Sequence, residues 1–239
     1  MRGGREDARL DSPPSPPPRH GPRRELKFRL DPEEAAAIAA RAAGVLAPDP
    51  HVRDASRGYR VESLYFDTPE FDCLRRRGPD GLPRYRLRRY EDRDDPRFLE
   101  EKLRRGDLVW KRRLAVSPTE IAALDGPGPL ERPPLEWFRR RFEGLALRPV
   151  LLVTYRRLAF VGAEGERLTI DLDLRTRPPE GAAEARLGTE EAPEDAAILE
   201  MKFMDETSRD ARAMRDLHGG ESIRFSKYAR SVAALGLRP

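Results

Sequence analysis

Cysteine is almost missing from this chain: Cys73 is the only one in 239 residues. That excludes a disulfide framework and a cysteine-based zinc site, and it fits a reducing compartment. Histidine is nearly as scarce, and His20, His51 and His218 fall far apart in tail or loop contexts. Neither a catalytic triad nor a histidine zinc site is indicated. No apolar run approaches the roughly 20 residues of a membrane helix, the longest lying around Val150–Val153. The opening MRGGREDARL has no apolar segment of the signal-peptide type. No GxxxxGK[ST], strand-borne GxGxxG or GxSxG pattern occurs either. A soluble, cytoplasmic protein without nucleotide-fold or hydrolase signatures is the expectation.

The most informative shortage is lysine. Of 46 basic side chains only five are lysines (Lys27, Lys102, Lys111, Lys202, Lys227), leaving 41 arginines. Lysine is a compact point charge and arginine a planar fork, so the surviving lysines mark positions that need an ammonium. Net charge is +4, but residues 1–24 hold six arginines against three acids and supply +3 of it. The remainder is close to neutral, unlike a broadly basic nucleic-acid binder. Any bound anion must therefore meet positive charge gathered locally.

Residues 1–23, with the run PPSPPP, read as a disordered tail, and one domain covers 24–239. Alternating polar and apolar residues predict strands over 25–30, 60–67, 84–90, 98–104, 108–116, 150–161, 166–175 and 196–205. Turns fall at Asp94-Asp95-Pro96, Arg105-Gly106-Asp107 and Gly162–Gly165, and residues 178–195 read as a loop. Asp31-Pro32-Glu33-Glu34 opens a helix running to about Gly44, and Ser117-Pro118-Thr119-Glu120 resembles a capping box. Further helices are predicted over 135–142, where Trp137, Phe138 and Phe142 form a core face, and near 208–217 and 227–235. About eight mostly antiparallel strands with helices between and after them predict an α+β domain built on a closed or nearly closed barrel.

Three strands carry one pattern: Glu25-Leu26-Lys27, Glu100-Glu101-Lys102 and Glu200-Met201-Lys202. Side chains alternate with period two, so each outer Glu and its Lys share a face while Leu26, Phe28, Leu99, Leu103, Met201 and Phe203 take the other. Arg84, Arg86 and Arg88, Lys111 with Arg113, and Arg167 with Asp171 repeat the division. One such strand is ordinary solvated sheet; six together predict a barrel with apolar faces turned out to helices and charged faces lining a polar lumen. Cations crowded there repel one another until an anion arrives, and several linked phosphates meet that need. The glutamates then either pair with the cations or hold a divalent metal, Mg²⁺ or Mn²⁺, bridging phosphate oxygens.

At this point a resemblance appears. RELKF (24–28), SLYFDT (63–68), YRLRRY (85–90), LEEK (99–102), Arg148-Pro149 with YRRLAF (155–160), RLTID (167–171), LEMK (199–202) and FSKY (225–228) resemble the VTC domain. That is the polyphosphate polymerase domain of the triphosphate tunnel metalloenzyme, CYTH-like superfamily, and the chain is similar to a stand-alone bacterial-type member. The resemblance covers about residues 24–237. It implies an eight-stranded antiparallel β tunnel with surrounding and plugging helices. It also implies transfer of the ATP γ-phosphate to a growing polyphosphate chain. Carried over by position, it makes Lys27, Arg86, Arg88, Lys102, Lys111, Arg157 and Arg167 phosphate ligands. Tyr155 and Ser226 add hydroxyls, Lys227 acts from the plugging helix, and Glu200 holds the metal. Arg113 and Lys202, on the same strand faces, join as substrate-binding residues, and Glu25 as a second metal carboxylate.

Two departures qualify the resemblance. Hydrolytic tunnel enzymes usually begin Glu-x-Glu-x-Lys, whereas here the frame reads Arg23-Arg24-Glu25-Leu26-Lys27. That weighs against a plain triphosphatase. The chain also has no membrane segment of its own, so a separate membrane protein would have to supply any translocation step. A hydrolase of short polyphosphates or nucleoside triphosphates, and a non-catalytic polyphosphate-binding module, remain as alternatives. The partners implied are ATP and polyphosphate rather than nucleic acid. Like-charge crowding further predicts that Lys102→Ala and Arg88→Ala both abolish turnover while leaving stability equal or higher.

Overall fold

The computed structural model describes residues 24–54, 56–76, 81–90, 96–105, 108–180 and 190–237. The stretch read as a disordered tail, two of the predicted turns in part, and the middle of the 178–195 loop lie outside the described residues.

Eight strands make one antiparallel sheet: β1 (Arg24–Leu30), β3 (Tyr59–Asp67), β4 (Arg84–Tyr90), β5 (Arg97–Arg105), β6 (Leu108–Val116), β7 (Arg148–Val161), β8 (Arg167–Arg177) and β9 (Ala197–Phe203). Their order is β1-β9-β8-β7-β3-β4-β5-β6, and the two-residue β2 (Ala47–Pro48) adds to the end of β7. The period-two division holds. Leu26, Phe28, Leu168, Ile170, Met201 and Phe203 face outward and pack beneath α1 (Pro32–Ala43) and α5 (Arg209–Leu217). On the other half Tyr85, Leu99 and Leu114 face outward under α3 (Pro118–Leu124) and α4 (Pro133–Gly144), with Phe138 fully buried and Trp137 and Phe142 beside it.

Local chemistry sets the helix boundaries. Asp31 and Ser117 each accept the backbone N–H three residues on, while Glu34 and Glu120 accept theirs in return. Both are complete capping boxes followed by proline, worth about 1 kcal/mol each. The spacing of Ala35, Ile38 and Ala42 gives α1 one apolar stripe against the sheet.

Two features sharpen the expectation. First, the sheet curls without closing: its edge strands β1 and β6 do not pair with each other among the described residues. The free edge of β1 is engaged by the incoming C-terminal segment instead. Ile223 N–H donates to the Lys27 carbonyl at 2.7 Å, and Lys27 Nζ donates to the Phe225 carbonyl at 3.3 Å. The chain then passes inside the curl as α6 (Lys227–Ala234).

Second, the lumen is not polar throughout. A helix placed inside a barrel must bury its own apolar face. Tyr228 and Val232 of α6 pack on Tyr65, Leu151 and Val153, so one end of the interior is an apolar plug. Tyr228 stacks on Tyr65 at 4.8 Å, and its hydroxyl donates to the buried Asp67 at 2.7 Å. Asp67 also accepts the N–H groups of Cys73 and Leu74, which ties the short α2 (Asp72–Arg75) to the same anchor.

Candidate functional site

The inward faces bring every predicted site residue to the lumen or its rim, and they divide into two walls of different character. On the wall made by β7, β8, β9 and β1, cations meet carboxylates. Arg157 forks onto Asp171 with bonds of 2.6 and 2.8 Å, and Lys227 Nζ reaches the same carboxylate at 2.6 Å. Asp171 is buried, and although burial alone would raise it, Arg157 and Lys227 hold its pKa down at about 2. Arg167 pairs with the buried Asp49 at 2.6 Å and donates to the Tyr59 hydroxyl at 3.3 Å. Lys27 lies 2.8 Å from Glu25 and 4.0 Å from Glu200, and Glu200 also pairs with Lys202. Burial opposes ionisation of Glu200, yet Lys202 and Lys27 hold it well below the carboxylate range.

The wall made by β4, β5 and β6 carries a surplus of positive charge. Strand register sets Arg84 opposite Lys102, and Lys102 opposite Lys111: a row of three cations with no carboxylate in it. Like charges directly opposite across strands destabilise a sheet. The next row is Arg86, Glu100 and Arg113, in which Glu100 accepts from Arg86 at 2.6 Å and lies 3.4 Å from Arg113. Burial pushes Glu100 up, but Arg86 and Arg88 win and hold it at about 2. Arg88 donates to Ser63 at 3.2 Å and to the Tyr155 hydroxyl at 3.3 Å, with Glu100 3.9 Å away. Lys102 is pushed down, first by burial, and the attraction of Glu25 across the lumen only partly offsets this. Lys111, at the open seam, falls to about 8 through desolvation and the nearby Lys202 and Lys102. Groups on β1 and β9 thus lie within electrostatic reach of groups on β5 and β6, so the two edges of the sheet face each other across the lumen.

The predicted residues therefore play unequal parts. Among the described residues Lys102 and Lys111 form no ion pair with a carboxylate and feel Glu25 only across the lumen, whereas Arg157 and Lys227 are already engaged. Arg113 sits on the rim, its guanidinium 3.6 Å from the centre of the Phe98 ring. Ser226 is the N-cap of α6, accepting from Ala229 N–H and from Arg84, so its oxygen works as an anchor. Sequence reasoning placed Arg84 on the charged face without naming it a ligand, and it left out Glu100 as a hub, Asp49 and Asp67. Their roles come from partners distant in the chain.

Two buried polar atoms on neighbouring inward positions of β8, Arg167 Nε and Thr169 Oγ1, have no hydrogen-bond partner among the described residues. Buried polar atoms are almost always satisfied, so such a pair points to a polar ligand between the walls. For a metal, Glu25 and Glu200 are the carboxylates within mutual influence, and burial and Glu200 both push Glu25 up before Lys202 and Lys102 bring it below its ordinary value. No cluster of three or more His, Cys, Asp or Glu forms a protein cage among the described residues. One or two carboxylates suit Mg²⁺-like ions whose remaining ligands come from water or a bound anion, so this donor set fits such an ion.

Comparison with solved structures agrees with the fold. The protein aligns with PH1819 from Pyrococcus horikoshii OT3 at 15% identity and a TM-score of 0.50, over 88% of this chain and 98% of that one. It aligns with a putative adenylate cyclase from Bacillus halodurans at 12% identity and 0.53, over 86% and 95%. A putative adenylate cyclase from Vibrio parahaemolyticus gives 12% and 0.51, over 87% and 96%. None of the curated proteins matches the chain in sequence. The model of one family, the VTC domain, matches residues 22–236, and the chain belongs to that family.

Proposed function

We propose that this protein is a metal-dependent polyphosphate polymerase. It moves the γ-phosphoryl group of ATP to the end of a growing polyphosphate chain. The observation that carries the proposal is the uncompensated row Arg84–Lys102–Lys111 facing Glu25 and Glu200 across a lumen with two orphaned polar atoms. A triphosphate laid along that row relieves the cationic repulsion, and arginine forks and lysine point charges divide its oxygens between them.

In the reaction a terminal chain oxygen attacks Pγ, the bond from Pγ to the β–γ bridging oxygen breaks, and ADP leaves with that electron pair. The transition state asks mainly for alignment and charge stabilisation. Lys102, Lys111 and Arg86 hold the transferring group, and Arg88, positioned by Ser63 and Tyr155, holds an adjacent phosphate. Lys227 and Arg157, fixed by Asp171, line the path towards the plug. Glu200 and Glu25 would hold the divalent ion, which when bound neutralises phosphate charge.

The test is incubation of purified protein with ATP and Mn²⁺, followed by gel and ³¹P NMR measurement of chain length. Growing chains with stoichiometric ADP are expected. ATP consumed to orthophosphate alone assigns the lumen to hydrolysis, and metal-independent binding without turnover assigns it to a passive polyanion module.

A further inference from the structure

β8 holds one more residue than β7 requires. The register shifts between Thr154 and Arg156, and Asp173 opposite this break adopts φ 53°. A left-handed backbone at a non-glycine residue is strained. The Asp173 side chain is two-thirds exposed and its bond to Arg156, at 3.4 Å, is long, so its own contacts do not offset that strain.

The consequence is a change of face. Up to Asp171 the odd-numbered residues of β8 point inward; beyond the bulge Leu174 joins the plug and Arg175 turns to the outer surface. Arg175 there pairs in register with Thr154, and Arg156 of β7 lies directly opposite Arg60 of β3. Arg60 and Arg156 are both exposed, so the register gathers positive charge on this outer face even with Arg156 meeting Asp173.

A loop completes the arrangement. Gly58, at φ 67°, lies so close to β7 that a Cβ would come within 2.1 Å of the Arg157 carbonyl. Only glycine permits this approach, and it holds Arg53 and Arg57 beside the strands. The result is an open crevice of about 770 Å³ with arginines from the loop, β3, β7 and β8. Asp54, Asp173 and Glu190 also line it, three carboxylates against five arginines. Arg57 lies 3.7 Å from Asp54, both exposed, and Asp54 is already bonded to Ser56. Tyr59 and Tyr155 line the crevice and present their hydroxyls to Arg167 and Arg88, so crevice and lumen share a wall.

The geometry points to a second polyanion site on the outside of the barrel, taking a stretch of linear polyphosphate that extends beyond the lumen. An elongated chain suits guanidinium forks on several exposed stems better than a single phosphate does, because no buried cation forms a compact cage there. The inference rests on the polyphosphate reading of the lumen.

It is tested by measuring the affinities of tripolyphosphate and of long-chain polyphosphate for the full chain, for Arg156→Ala/Arg175→Ala and for Lys102→Ala. The double variant should bind long chains about tenfold more weakly and tripolyphosphate unchanged. Arg53→Ala, in the loop, should act in the same direction and guards against misfolding of the strand variant. Unchanged long-chain affinity in both, or equal loss for both ligands with normal melting, overturns the outer site. Lys102→Ala reports separately. If it leaves tripolyphosphate binding untouched while the crevice variants still lose long chains, the lumen reading fails and the outer site stands.

Discussion

The two walls of the lumen are built from the same residue types and behave in opposite ways. On the β7–β8–β9–β1 side each cation has a carboxylate partner, so that wall is a finished electrostatic structure that holds α6 in place. On the β4–β5–β6 side Arg84, Lys102 and Lys111 stand in one row without a partner among them. The first wall neutralises its own charge, and the second leaves part of its charge uncancelled. Charge composition alone does not make an anion site. What matters is which charges the fold leaves uncancelled.

The largest effect should come from breaking the finished wall. Asp171→Ala leaves Arg157 and Lys227 buried without their counter-ion and should cost about 3–5 kcal/mol of stability, read from urea unfolding. A stability close to that of the unaltered protein would show that Asp171 is not the latch. Tripolyphosphate at about 100 times its dissociation constant should raise stability by about 2.7 kcal/mol, measured in the same titration. A ligand that binds without shifting the midpoint contradicts a native-state lumen site.

Lys102→Ala should weaken tripolyphosphate binding by about 2 kcal/mol by calorimetry and leave stability equal or higher, since it relieves repulsion. Arg88→Ala, expected from sequence to behave the same way, should instead destabilise, because Arg88 is buried and bonded to Ser63 and Tyr155. Identical stability changes in the two variants would erase the distinction, within this wall, between a cation engaged by its neighbours and one that is not.

The smallest effect is the sharpest. Lys111 is charged below about pH 8 in the free protein and neutral above it, so tripolyphosphate affinity should fall as pH rises through about 8. Lys111→Arg, always charged, should flatten that step. Folding itself responds in the other sense. Lys111 is depressed below its unfolded value, so its cost to stability is relieved as pH climbs from about 8 towards the ordinary lysine range. Asp171 and Glu100, both held near 2, contribute stability above the normal carboxylate range that is lost as pH drops towards 2.

Much of this was legible in the sequence. Period-two alternation located all eight long strands, the Asp31 and Ser117 boxes located two helices, and the scarcity of lysine pointed at Lys102 and Lys111. What stayed hidden has one physical cause: it depends on neighbours fixed only by the sheet order. Asp49 meets Arg167 because β2 adds to β7, and Asp67 meets Tyr228 across 161 positions of chain. The bulge at Asp173 was equally invisible, since Leu172-Asp173-Leu174-Arg175 reads as unbroken alternation. A single added residue there reverses which side chains face the plug.

Among the described residues strand β1 pairs with one strand, β9, and its other edge accepts a bond from Ile223. Its docking therefore waits for loop closure over some 170 residues, an entropic delay that local contacts cannot shorten. The first strand in the sequence should be among the last to acquire amide protection during refolding, well after the β5–β6 hairpin, and pulse-labelled hydrogen exchange can time the interval.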